Sequence, residues 1–231
     1  NSLGIDEDTP IDAKMLSSAI ENAQRTVESR NFQSRKNVLE YDDVMNTQRM
    51  VIYEQRQKVL DGEDLKATID GMIDYVIDSE VEDAFGVEPT GGAEQLAAVN
   101  AKFENVYYAR GAFPAEGSLS KEEAKERLSK LFHETYARRE AEFTPEKMRE
   151  IERIVLLQVV DEYWMDNIDA MEDLKQGIRL RAYGQTDPVV AYKREGFAMF
   201  DGMINAIREE TVRRLYLFRP VSYTHLRAHE T

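Results

Sequence analysis

The sequence predicts an all-α protein, built from one long helix, a small helical insert and an antiparallel pair of helices. Apolar residues recur at intervals of three and four along most of the chain, which is the spacing of a helix face. Several of these segments begin with residues that cap helices. Glycine and proline concentrate in a few short stretches, which therefore mark the connections between helices.

Composition limits the class of protein. The chain has 231 residues, of which 42% are hydrophobic and 32% charged, enough apolar material for one or two soluble domains. It has no cysteine, so a disulfide scaffold is excluded. We expect a cytosolic protein, because no run of 18 apolar residues is present and the acidic start NSLGIDEDTP does not resemble a signal peptide. The net charge of −14 argues against broad non-specific nucleic-acid binding, although a local basic patch stays open, and no specific nucleic-acid partner is predicted.

The first element is predicted to be a single helix over residues 10–60. Thr9-Pro10-Ile11-Asp12 provides an N-cap hydroxyl, a proline in the first turn and an acidic residue beside it. A helix of this size is roughly 75 Å long and serves either as a coiled coil or as a scaffold for other pieces. Polar interruptions near Arg30 and Gln48 argue against a plain two-stranded seam. The apolar positions are Leu16, Ile20, Ala23, Val27, Val38, Tyr41, Met45, Ile52 and Val59.

Residues 63–143 are predicted to form a small helical insert. One helix ends near Gly86, a weaker helix covers 96–103, and the capping box Ser120-Lys121-Glu122-Glu123 opens a third. The connections EPTGGAE and ARGAFPAEGS together hold four of the twelve glycines and two of the six prolines of the chain. The apolar positions are Leu65, Ile69, Met72, Val76 and Ile77 in the first helix and Leu128, Leu131, Phe132 and Tyr136 in the third.

The remaining sequence predicts an antiparallel helical hairpin. Thr144-Pro145-Glu146 begins a second long helix, and Asp187-Pro188 begins another after the short connection RAYGQT at 181–186. We expect both helices to pack beside the second half of the first long helix, with Phe200 and Ile204 buried between them. The predicted contact face of the last helix consists of Phe197, Phe200, Ile204, Ile207, Thr211 and Leu215, and Trp164, Met199 and Met203 are expected to be core residues.

The tip of this hairpin contains more functional groups than a turn requires. Gly184 supplies the backbone freedom for the reversal, while Asp187 caps the returning helix and Pro188 occupies its first position. No structural duty of this kind is evident for three other tip residues, so we expect them to be exposed and to contact something outside the chain. These residues are Arg181, Tyr183 and Gln185.

Other groups of charged residues resemble catalytic sites only superficially. Di-metal bundles pair carboxylates with a Glu-x-x-His motif, which the His133-Glu134 pair does not supply. Phosphate loops, nucleophile elbows and metal-spaced cysteine and histidine sets are also missing from the sequence, so no catalytic, cofactor-binding or metal-binding residue is predicted. A solvated acidic face is the favoured interpretation of Asp161, Glu162, Asp166, Asp169, Glu172 and Asp173. Glu40, Asp42 and Asp43 flank Tyr41. We predict that they pair with Arg35, with Lys36 or with an outside molecule.

The end of the chain is interpreted as an artefact. Residues 220–231 contain VSYTHLRAHET, which resembles a translated sequencing adapter and shares no pattern with the helix before it. His225 and His229 are therefore not considered as ligands.

Two stretches resemble the SecA family, the ATP-driven motors of bacterial protein export. AIENAQRTVESRNFQSRKNVLEYDDVMNTQRMVIYEQR, 19–56, is similar to the start of the long scaffold helix, and DEYWMDNIDAMEDLKQGIRLRAYGQTDPVVAYKREGFAMF, 161–200, is similar to the two-helix finger. The two segments follow one another in the order, and with the separation, that the SecA family has. The resemblance implies a scaffold helix at 1–62, a helical wing at 63–143, a scaffold return helix at 144–165, a two-helix finger at 166–219 and the scar at 220–231.

The resemblance also implies a function. The chain is expected to be a fragment that lacks the nucleotide-binding domains, the preprotein cross-linking domain and the C-terminal zinc motif, so ATP and Mg belong to the parent and the fragment alone is inactive. The family's polypeptide-contacting tyrosine corresponds to Tyr183, with Arg179 and Arg181 beside it. The implied partners are the SecYEG channel, unfolded preprotein and the remaining SecA domains, with a homodimer as a further option. The implied location is cytoplasmic and peripheral at the inner membrane.

Two other classes are kept as alternatives. A free-standing helical adaptor would fold and bind a specific partner without any ATPase domain, and a di-metal helical enzyme would retain iron or manganese through purification. The upstream reading frame distinguishes them: continuation into a Walker A motif supports the translocase, whereas a start codon just before Asn1 supports the adaptor.

Overall fold

The computed structural model describes residues 13–62, 65–181 and 187–219. These ranges contain six helices and one small antiparallel sheet, so the predicted all-α class is confirmed. None of the described helices combines the length and apolar character of a membrane span. The helices are α1 Ala13–Asp61, α2 Leu65–Phe85, α3 Ala93–Phe103, α4 Lys121–Phe143, α5 Pro145–Arg181 and α6 Pro188–Leu217, and the strands are β1 Thr90–Gly91 and β2 Leu119–Ser120.

The long first helix is continuous. α1 runs for 49 residues without a break, which confirms the predicted single helix over its described part. At 1.5 Å per residue its length is roughly 74 Å. Gly62 follows the last helical residue with a φ of +83°, a left-handed conformation that glycine adopts without steric cost and that commonly ends helices.

The insert forms around two antiparallel helices, α2 and α4. The predicted capping box is present: the Glu123 amide donates to Ser120 Oγ at 3.2 Å, and the Ser120 amide donates to Glu123 Oε2 at 3.1 Å. Ion pairs join the two helices along their length and hold them in register. They are Lys66–Glu140 at 3.1 Å, Lys125–Asp78 at 3.1 Å, Lys125–Glu82 at 3.0 Å and Lys121–Glu82 at 2.7 Å.

The two-stranded sheet was not predicted. β1 and β2 pair antiparallel, with Thr90 opposite Ser120 and Gly91 opposite Leu119. Strands of two residues are too short to show alternating polarity, so the sequence contains no signal for them. Gly91 is required by packing, because a Cβ at this position would lie 2.6 Å from the ring of Phe85.

A single large hydrophobic core joins the insert to the long helices. The end of α6 enters the insert, where the Tyr216 ring lies 5.0 Å from Tyr107 and 5.7 Å from Phe132, between ring centroids. The Tyr216 hydroxyl donates to the Phe132 carbonyl at 2.9 Å, which satisfies the buried phenol. The insert and the hairpin are therefore packed together rather than tethered only by the chain.

Buried polar contacts fix the start of α5 against the end of α4. The Tyr136 hydroxyl donates to Glu152, and Arg149 forms ion pairs with Glu152 at 2.8 Å and with Glu140 at 2.7 Å. Burial raises the pKa of the Glu152 carboxyl, although Tyr136 and Arg149 oppose this shift. Ionisation of Glu152 therefore carries a desolvation cost that Tyr136 and Arg149 offset in part.

The buried face of α6 differs from the predicted one. Phe197 is 72% exposed, and Phe200 and Ile204 are only partly buried, so their complete burial was wrongly predicted. α1, α2 and α5 all contact α6, and its buried residues include the predicted Met203, Ile207, Thr211 and Leu215. Its other buried residues are Val189, Tyr192, Gly196, Val212 and Tyr216. Met199 is partly buried, and Trp164 of α5 is buried as expected.

Candidate functional site

The base of the hairpin tip has the predicted geometry. α5 ends at Arg181 and α6 begins at Pro188. Asp187 Oδ1 accepts a hydrogen bond from the Val189 amide at 2.8 Å, so Asp187 is the N-cap and Pro188 stands in the first turn, as predicted. The side chain of Arg181, together with Tyr183, Gly184 and Gln185, lies outside the described residues. Their predicted exposure and contacts stay predictions.

A separate hydrophobic cluster, the tip-side cluster, supports the hairpin near its tip. Tyr41 of α1 meets Tyr192 of α6 edge to face, with ring centroids 4.8 Å apart at an interplanar angle of 80°. Burial raises the pKa of Tyr192 to about 12. The cluster attaches both hairpin helices to one point on the long helix. Its buried members are Tyr41, Met171, Leu174, Ile178, Val189 and Tyr192.

Ion pairs surround the tip-side cluster. Glu40 lies 3.8 Å from Lys36, as predicted, and 3.9 Å from Lys193 of α6. Asp42 lies 3.7 Å from Lys175 of α5 rather than pairing with Arg35 or Lys36. The sequence did not reveal the Lys175 and Lys193 contacts, because both lysines are more than 130 positions away and become neighbours only when the hairpin docks.

A buried polar contact, the polar joint, connects α1, α5 and α6 at Gln48, Asn167 and Gly196. Gln48 Nε2 donates to the Gly196 carbonyl at 3.1 Å, and Asn167 Nδ2 donates to Gln48 Oε1 at 3.1 Å. Gln48 is 5% exposed and Asn167 is 6% exposed. A Cβ at Gly196 would lie 2.7 Å from Met171 Cε, so glycine allows the close approach of α6. From the sequence, Gln48 was interpreted only as an interruption of the apolar face of α1. Its position on that face, between Met45 and Ile52, was the signal that could have indicated a buried polar contact.

The acidic residues of α5 form no metal centre in the part of the chain that the structure describes, where no group of three potential ligands is found. The six acidic residues from Asp161 to Asp173 are all exposed, in agreement with a solvated face. Two of them bind cations of neighbouring helices: Asp161 pairs with Arg56, and Glu162 lies 2.7 Å from Arg214. His133 lies 3.6 Å from Asp70 and 3.5 Å from Asp74 on α2.

The long helix continues well beyond its contacts with the hairpin. Every described side chain from 16 to 36 is exposed, including the apolar Leu16, Ile20 and Val27. These three residues continue the face that is buried at Tyr41 and Ile52. The described chain therefore presents an extended apolar stripe for which it supplies no partner.

Comparison with known proteins adds the decisive observation. Residues 10–219 match the family model described as the SecA Wing and Scaffold domain. The chain belongs to this family. The resemblance of 19–56 and 161–200 to SecA is thereby confirmed, and the matched range contains the polar joint, the tip-side cluster and the hairpin tip.

Individual SecA proteins are similar over nearly all of the chain. The protein translocase subunit SecA of Clostridium acetobutylicum is 47% identical over 216 residues, 93% of this chain and 26% of that protein. The SecA of Heliobacterium modesticaldum is 46% identical over 94% of this chain and 26% of its own length, and that of Clostridium novyi is 48% identical over 93% and 26%. The chain thus spans about a quarter of the length of the curated relatives it matches.

Proposed function

We propose that this chain is the wing and scaffold part of a SecA protein translocase subunit, in which the hairpin is a finger that contacts the moving polypeptide. The observation that supports this role is the anchoring of α5 and α6 on one long helix. The polar joint and the tip-side cluster hold both hairpin helices, so a load applied at the tip is transmitted to α1. A finger that acts on a substrate needs such a rigid base.

Within this proposal the tip residues have distinct duties. Tyr183 offers an aromatic surface that tolerates many substrate sequences and loses little rotamer entropy on contact. Arg179, Arg181 and Gln185 offer hydrogen bonds to carbonyl or acidic groups of the polypeptide or the channel. The cap formed by Asp187 and Pro188 fixes where α6 begins.

The exposed part of α1 has a corresponding role. We propose that other domains of the larger protein cover the stripe of Leu16, Ile20 and Val27, because contiguous exposed apolar surface marks an interaction site. ATP and Mg would bind in those domains. The SecYEG channel, unfolded preprotein and a peripheral position at the cytoplasmic face of the inner membrane belong to the same proposal, with a homodimer as a further option.

Photocrosslinking tests the finger directly. A photoreactive residue replaces Tyr183 in the full-length translocase, and a matched control replaces Met165, an exposed residue of α5 far along the helix from the tip. During transport, position 183 should label the preprotein and position 165 should not. Labelling from 183 that is confined to α5 and α6 would contradict the proposal.

Substitution separates contact from folding. Tyr183→Ala should change the free energy of unfolding by no more than about 0.5 kcal/mol, as is usual at surface sites. Transport by the full-length protein should fall more than nucleotide binding does, and Tyr183→Phe should restore most of it, because the ring supplies the contact. Equal transport by the wild type and Tyr183→Ala would contradict the assigned role.

A further inference from the structure

A groove with a volume of about 690 Å³ lies between α1, α2, α5 and α6, away from the hairpin tip. This volume is within the range of roughly 300–1,000 Å³ that is typical of small-molecule sites. Its floor is made of aliphatic side chains from all four helices, each of which is almost fully buried in the main core. The floor residues are Ile52, Val59, Leu65, Leu156, Val160 and Ile207.

The described charged residues that line this groove all have one sign. Arg56, Lys58 and Arg208 line it and no aspartate or glutamate within the described ranges does, although the whole chain has a net charge of −14. Arg56 pairs with Asp161, and Lys58 lies 3.0 Å from Glu54. These two cations are already partly neutralised.

Arg208 differs from the other two cations. It donates to Asn205 Oδ1 at 3.0 Å, and its guanidinium carbon lies 4.7 Å from the centroid of the Tyr75 ring. Among the described residues no carboxylate forms an ion pair with it. The Tyr75 ring orients the guanidinium while its remaining N–H groups can bind an anion bidentately.

The wall of the groove contains a glycine in the middle of a helix. Gly71 of α2 lines the groove, and a Cβ at this position would meet no atom within 4 Å. Glycine within a helix costs about 0.5–1 kcal/mol relative to alanine, and packing within this chain does not require it here. The absent side chain leaves space beside the aliphatic floor.

We propose that this groove binds a single-chain amphipathic anion of the fatty-acid class. The hydrocarbon tail lies along the aliphatic floor past Gly71, and the carboxylate binds Arg208. Apolar surface supplies most of the affinity, and the positive rim selects an anionic over a cationic head group. This site is separate from the hairpin tip and does not depend on the proposed translocase function.

Calorimetric titration of the 231-residue chain tests the charge selection. The probes are dodecanoate and dodecyltrimethylammonium below their micelle concentrations, because they share a twelve-carbon chain and differ in head-group charge. Dodecanoate should bind saturably at one site, at least tenfold more tightly than the cation. Equal affinities, or no saturable binding of dodecanoate, would overturn the proposal.

Variants locate the site. Gly71→Leu places a side chain in the groove, where its Cβ would meet no atom within 4 Å, and should weaken dodecanoate binding at least tenfold. Gly202→Leu is the matched control, because a Cβ there also meets nothing within 4 Å and Gly202 lies on the face of α6 opposite Ile204. Arg208→Met should weaken binding about tenfold, whereas Arg194→Met, an exposed charge on the same helix, should not. Unchanged affinity in Gly71→Leu would show that dodecanoate binds elsewhere and would overturn the proposal.

Discussion

The two halves of α1 have similar sequence patterns and opposite surroundings. The packed half, 37–61, buries Tyr41, Gln48 and Ile52 against the hairpin and the insert. The projecting half, 13–36, carries Leu16, Ile20 and Val27 on the continuation of the same face, and all three are more than half exposed. Apolar periodicity therefore identified the face of the helix but not the length over which this chain covers it.

The two halves also differ in the range of their interactions. The polar contacts of the projecting half are local, such as Thr26 Oγ1 donating to the Asn22 carbonyl at 2.8 Å and Gln33 Nε2 donating to Asn37 Oδ1 at 2.8 Å. Some of those in the packed half, including both hydrogen bonds of Gln48, reach residues more than 100 positions away. Helices without tertiary contacts are marginally stable in water, so the projecting half should depend on the packed half for its stability.

Truncation of one isoleucine in each half should give the largest difference. Ile52 is 1% exposed and Ile20 is 51% exposed. Ile52→Ala should lower the free energy of unfolding by about 2–5 kcal/mol, because it removes buried methyl groups and leaves a cavity. Ile20→Ala should change it by no more than about 0.5 kcal/mol. Urea denaturation of the 231-residue chain measures both, and equal losses would show that the projecting half is packed in solution.

Glutamine substitutions compare the polar contacts of the two halves. Gln48→Ala leaves the Asn167 amide and the Gly196 carbonyl without their partner in a buried place, which should cost about 1–3 kcal/mol. Gln33→Ala removes an exposed contact with Asn37 and should cost no more than about 0.5 kcal/mol. Chemical denaturation measures both variants. If Gln48→Ala lowered the free energy of unfolding no more than Gln33→Ala does, the polar joint would not hold the hairpin.

Alkaline titration examines the boundary between the halves, where Tyr192 packs on Tyr41. A tyrosine has an ordinary pKa of about 10, and burial raises the pKa of Tyr192 to about 12 in the folded chain. The unfolded chain therefore loses this proton first, and the stability associated with the neutral phenol is present below pH 10 and lost as the pH rises to 12. Between pH 9 and 11 the free energy of unfolding should fall by about 1 kcal/mol more in the wild type than in Tyr192→Phe. Parallel curves for the two proteins would indicate that solvent reaches Tyr192.

Local signals in the sequence predicted most of the helices. The capping box at Ser120, the cap at Asp187 and the stop at Gly62 each act within a few residues, so they mark the ends of α4, α6 and α1. The apolar positions of α2 and α4 were also predicted, and most of them are buried in the core that the insert shares with the long helices. The strands β1 and β2 were missed, since pairs of two residues leave no periodic pattern.

The sequence did not reveal which residues pack against which neighbouring helix. Phe197 and Ile207 are both apolar residues of α6, yet Phe197 is exposed and Ile207 is buried. Gln48 appeared to interrupt a hydrophobic face until Asn167 and Gly196 were placed beside it. These outcomes depend on how α1, α5 and α6 approach one another, and the sequence of one helix alone does not determine that arrangement.

Amide hydrogen exchange along α1 tests the central claim most directly. In the 231-residue chain, amides of 41–58 should be protected with nearly the free energy of global unfolding, whereas those of 16–36 should exchange much faster because no tertiary contact holds them. In the full-length translocase, other domains are proposed to cover the projecting half, so protection there should rise at least tenfold. Equal protection of both halves in the 231-residue chain, or no gain at 16–36 in the full-length protein, would contradict this account.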